Sequence, residues 1–125
     1  MPTPGTENLC LYFAALQSLT QTEHVSVEDA RALKQKVHLE LKQKNAERPR
    51  ASLLRAIHLT KPNTDELATD EVIPALATVL HRTVVVHEGQ AKCEVDGWNN
   101  ATKKLHIYYV PGHYYANVPA FNNFI

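Results

Sequence analysis

At 125 residues, with 44% hydrophobic and 21% charged residues, the chain has the composition of an ordinary globular protein and the length of one domain around a single core. Thirteen lysines and arginines balance thirteen aspartates and glutamates, which argues against a general nucleic-acid binder, a class that is normally basic. Two cysteines without CxxC spacing give neither a zinc pattern nor a disulfide framework, and no apolar run is long enough to cross a bilayer.

Met1-Pro2-Thr3-Pro4 opens no basic-then-apolar leader, so a reducing, intracellular setting is the simplest expectation. The length suits a free-standing domain and a domain cut from a longer protein equally well. Residues Met1 to Glu7, with two prolines and a glycine, should be extended. Asn8 is a candidate N-cap for a helix from about Leu9 to Ser18, apolar nearly all round and therefore expected to be buried and central. Ser26-Val27-Glu28-Asp29 is a capping signature, after which Ala30, Leu33, Val37 and Leu41 recur at helical spacing. That predicts an amphipathic helix from about Val27 to Asn45, with its lysines on a solvated face.

Arg48-Pro49-Arg50 breaks the chain before a short helix, Ala51 to Leu59. A further helix is expected from about Thr69 or Asp70 to His81, with Pro74 in or near its first turn. Thr83 to His87 is a β-branched run that reads as a buried strand, and Ala91 to Val95 as a short one. Lys104 to Val110 is the clearest strand, with Leu105, Ile107 and Tyr109 on one face. A Pro111-Gly112 turn then leads to a return strand from His113 to Val118. Helices first and strands late predict an α+β fold with a small, mostly antiparallel sheet.

Two pieces could support chemistry. Cys10 stands at the start of the first helix, where unpaired N–H groups and the positive end of the macrodipole favour thiolate over thiol. His113, opening a strand just after a tight turn, is placed to reach a cysteine distant in sequence. Spacing alone leaves the alternative open that Cys10 is a small core residue, which is the commoner fate of a cysteine in an apolar helix. Cys93, in the charged run Lys92-Cys93-Glu94, reads as incidental. The histidines His24, His38, His58, His81, His87 and His106 show no metal-binding spacing, so no metal is expected.

The segment Glu7-Asn8-Leu9-Cys10-Leu11-Tyr12-Phe13-Ala14-Ala15-Leu16 resembles the nucleophile motif of the ovarian-tumour (OTU) cysteine proteases, a D-G-x-C-L-[FY]-x-A-like run opening a central helix. Thr69 to Val86 resembles the helix-then-strand unit of that family, and Leu105 to Val110 with Gly112-His113-Tyr114 its closing strands. The matches fall in the family's order and cover about half of the chain. The resemblance implies a papain-like OTU fold and a cysteine-type deubiquitinase, without metal or organic cofactor. Cys10 would attack the carbonyl of the C-terminal glycine of ubiquitin or a ubiquitin-like protein, and His113 would protonate the leaving lysine amine. It also implies a narrow substrate channel, for which Tyr114, Tyr115 and Trp98 are candidate walls. A compact member of this kind would suit a viral or bacterial protein acting in a host cell, able to process its own polyprotein as well.

Three positions depart from the family pattern. Glu7 replaces an aspartate, Asn8 replaces a glycine beside the oxyanion loop, and Tyr115 stands where an Asn or Asp often orients the histidine. Asn117 shares that strand face but lies about 13 Å along it, out of reach without a bulge. The expectations that remain are a simple Cys-His dyad with no orienting group, or an orienting group from Glu7, Asn8 or the Asn99-Asn100 loop. These departures keep two alternatives: a non-catalytic ubiquitin-binding module on the same fold, and a papain-like peptidase with another substrate.

Overall fold

The computed structural model describes residues 9–22, 24–61 and 71–116. Four helices precede four strands: α1 (Cys10–Thr20), α2 (Val27–Glu47), α3 (Ala51–Leu59), α4 (Val72–Leu80), β1 (Thr83–Glu88), β2 (Ala91–Val95), β3 (Lys104–Val110) and β4 (His113–Tyr115). The expected α+β class is what the chain forms.

Local signals account for most boundaries. Ser26 caps α2, its hydroxyl accepting the Asp29 N–H at 3.0 Å, with Glu28 and Asp29 in the first turn. Pro74 falls at the third residue of α4, where its missing N–H costs no helical hydrogen bond. His81 ends α4 in the left-handed region at φ 55°. Gly112, at φ +82°, supplies the positive φ that the turn between β3 and β4 needs.

The sheet runs β2-β1-β3-β4. Its outer pairings, β1 with β2 and β3 with β4, are antiparallel, but the central pair β1 and β3 is parallel, with Val84 opposite Leu105 and Val86 opposite Ile107. The sheet is therefore mixed: antiparallel in two of its three pairings, as expected, and parallel at its centre. The β1–β2 hairpin returns the chain to the start of β1, and residues 96–103 then straddle that end so that β3 joins the far side of β1. This connection is tied down where it crosses, by a Thr83 N–H donated to the Lys103 carbonyl at 2.8 Å.

One face of the sheet packs under the helices. Val84, Leu105, Ile107 and Tyr114 share a core with Leu11 and Tyr12 of α1, Val37 and Leu41 of α2, Leu53 of α3 and Leu76 of α4. Each large side chain buried there contributes about 1.5–3 kcal/mol. α1 packs on β3, β4 and α2, the central position its all-round apolarity predicts. Among the described residues, no helix is long and apolar enough to cross a membrane.

Candidate active site

Cys10 is the first residue of α1, after Leu9, a fully buried residue that makes no side-chain cap. The stripe Cys10, Phe13, Ala14 and Gln17, at helical i, i+3, i+4, i+7 spacing, forms one wall of a cleft of about 270 Å³. The other wall is β4, contributing His113, Tyr114 and Tyr115. The structure thus brings the predicted nucleophile and base, 103 positions apart in sequence, into one cleft with the two tyrosines.

Within β4, alternation sends Tyr114 inward and His113 and Tyr115 outward. Tyr114 lies against Tyr109, ring centroids 4.9 Å apart and tilted 51°. Its phenol is pushed up to about 12, first by burial and then by Tyr109, Cys10 and Glu88. His113 is exposed at the mouth of the cleft, while Cys10 is half-buried in its inner wall.

Burial pushes the Cys10 thiol up, and this outweighs the opposing pull of backbone groups at Tyr114, Leu11 and Cys10 itself. The helix N-terminus was expected to favour thiolate. Instead the thiol lies near Tyr12 and Tyr114, both buried, and desolvation of the charge dominates the dipole. Tyr12 feels the same surroundings: its phenol is pushed far up by burial, with Cys10 and Tyr114 adding to it.

The other candidates separate. Trp98 is not among the residues lining this cleft. It sits in the connection from β2 to β3, its N–H donating to Thr78 Oγ1 at 2.8 Å and its ring 5.2 Å from Lys44 Nζ. Asn99 lies at the same end of α4, its Nδ2 donating to the Thr78 carbonyl at 3.0 Å and standing 3.0 Å from His81 Nδ1, and it lines a separate hollow with Thr83 and Asp96 rather than the Cys10 cleft. Glu7, Asn8 and Asn117 lie outside the described residues. Cys93 is exposed on β2. Among the described residues, no group of three His, Cys, Asp or Glu side chains could hold a metal ion. A larger cavity, about 390 Å³, opens at the other end of α1 between Leu16, Leu33 and Val79, and none of its lining residues is a cysteine.

Sequence reasoning missed a pair of histidines on the helix-free face of the sheet. His87 Nε2 and His106 Nδ1 are 2.9 Å apart. Neither shows metal-binding spacing along the chain, and only the parallel register of β1 and β3 makes them neighbours. Comparison with protein-family models and with curated proteins finds no match to this chain.

Proposed function

We propose that the chain is a compact OTU-like cysteine protease that hydrolyses isopeptide or peptide bonds after the C-terminal glycine of ubiquitin or a ubiquitin-like protein. What carries the reading is the convergence of Cys10 and His113 on one cleft, the cysteine at a helix N-terminus and the histidine at the start of an edge strand. The sequence motifs around both residues support it.

Because burial favours the Cys10 thiol, the nucleophile rests protonated and needs a base as it attacks. His113 turns inward and takes the thiol proton as the Cys10 sulfur bonds to the glycine carbonyl carbon. The oxyanion forms against the Cys10 N–H. The imidazolium then gives its proton to the leaving lysine amine, leaving a thioester. A water, deprotonated by His113, attacks that thioester and restores the thiol. Tyr114 and Tyr115 wall the channel for the glycine tail.

A second reading, a non-catalytic module that binds ubiquitin at the same cleft, is favoured by the raised Cys10 pKa and by the outward direction of His113. Cleavage of a lysine-linked ubiquitin dimer, measured beside ubiquitin binding, separates the two. The protease reading expects Cys10→Ala to abolish cleavage with binding retained, and His113→Ala to reduce it severely. Binding by the folded wild-type chain with no cleavage selects the module, and neither activity removes ubiquitin as the substrate class.

A further inference from the structure

The sheet face turned away from the helices carries a row of rings. The parallel register sets His87 opposite Tyr108, and the antiparallel register sets Tyr108 opposite Tyr115. The rings stack along that line: His87 on Tyr108 with centroids 4.6 Å apart and planes 17° apart, Tyr108 on Tyr115 at 5.5 Å and 25°. His106 closes the far end, 5.1 Å from His87 between centroids and 2.9 Å between ring nitrogens. Tyr115, at the near end, is 42% exposed and lines the Cys10 cleft.

At 2.9 Å, one imidazole must donate and the other accept. A single extra proton leaves that possible. A second makes both rings donors and sets two positive charges side by side, so the pair must part. The groups facing it favour parting: Lys104 of β3 and Lys92 of β2 add positive charge, and the Glu94 carboxylate of β2, which pulls the other way, is held by Lys104 at 3.1 Å. Tyr108 and, beyond it, Tyr115 and His113 complete the charged or titratable neighbours on β3 and β4. From α1, Ser18 donates to the His106 carbonyl at 2.7 Å, which fixes the strand and leaves the ring as the part that moves. His106 is accordingly held below the ordinary histidine value, chiefly by desolvation and then by His87 and the two lysines.

We propose that the row His106–His87–Tyr108–Tyr115 is a proton-sensitive brace for the mouth of the Cys10 cleft, holding Tyr115 in place while the histidine pair carries at most one proton and releasing it when both rings are charged. As regulation of a catalytic cleft this rests on the protease reading, but the brace itself does not.

The test is an NMR titration of the purified full chain from about pH 7.5 to about pH 5, the range of histidine charging. The brace predicts that the Tyr115 ring signals shift with the midpoint of the His106 imidazole. In His87→Phe, which keeps a ring to stack on Tyr108 but removes the shared proton, they should stay still. His106→Gln, at an exposed position, repeats the test should the Phe variant misfold. Tyr115 signals that do not move while His106 titrates, or that move equally in a folded variant lacking either histidine, overturn the proposal. Control of the cleft is read from Cys10 alkylation by iodoacetamide, located by mass spectrometry, as the ratio of wild type to His87→Phe at each pH. That ratio should change severalfold over the range, and a constant ratio beside a titrating Tyr115 refutes control of the cleft. Neither measurement uses ubiquitin, so loss of the protease reading would leave both results interpretable.

Discussion

Gly97→Ala tests how the connection from β2 to β3 is anchored. A Cβ at this position would lie 2.7 Å from Thr78 N, 2.7 Å from Thr78 Oγ1 and 2.9 Å from Thr78 Cα. Two of those atoms are backbone of α4, which cannot yield, so the connection itself must lift. Lifting it breaks the Trp98 N–H bond to Thr78 Oγ1 and the Asn99 bond to the Thr78 carbonyl, at about 1 kcal/mol each. The half-buried Trp98 ring also loses part of its packing on the core. The sum is about 2–4 kcal/mol, which lowers the urea midpoint by roughly 1.3–2.7 M at an m-value of about 1.5 kcal/mol/M. Trp98 is the only tryptophan, so its fluorescence reports unfolding and the local displacement together. Thr78→Ala should not rescue the variant, because the backbone contacts stay. A Gly97→Ala protein within about 0.5 kcal/mol of wild type would refute the close approach.

Other consequences can be measured with the same purified chain. The Cys10 alkylation rate should keep climbing beyond about pH 8.5, the ordinary thiol value, because burial holds its thiol up; a plateau below that pH would contradict the burial argument. His38, beside Thr60 Oγ1 at 2.9 Å, is held low by desolvation and by Lys42 and Lys61, outweighing a contrary pull from the Ile57 backbone, and His106 is held low as well. The unfolded chain therefore takes up protons near pH 6.5, as ordinary histidines do, before the folded chain does. Stability should be fully present above that pH and fall below it, and His38→Gln should flatten part of the slope in urea midpoints. Arg50→Ala, which removes a 3.2 Å ion pair with Glu71 from the start of α3, should cost about 0.5–1 kcal/mol and less in high salt.

Much of the fold could be read from local chemistry. The Ser26 cap and the breaks at Pro49 and at Pro111-Gly112 set element ends that the structure reproduces, and α3, β2 and β3 have the predicted bounds. α4 runs from Val72, the expected start at Thr69 or Asp70 falling outside the described residues, and β4 stops at Tyr115, with residues 117 and 118 also outside them. What local pattern could not supply is pairing. A hairpin followed by a long connection suggests a meander, whereas the Thr78 and Thr83 anchors carry that connection around β1 and make the central pair parallel. The site divides the same way. Cys10 and His113 stood out from their positions in a helix and a strand, and the topology brings them to one cleft. The raised thiol pKa depends on which side chains close over the sulfur, and the ring row on strand register, so neither shows along the sequence. Trp98, a candidate wall for the channel the resemblance implies, instead anchors the connection beside α4.

The central claim is most directly tested by incubating the chain with ubiquitin bearing a C-terminal electrophile and locating the adduct by mass spectrometry. A covalent adduct on Cys10 is expected, lost in Cys10→Ala and slowed in His113→Ala, with exposed Cys93 unlabelled. No adduct from the folded chain, or an adduct on Cys93 alone, would contradict it.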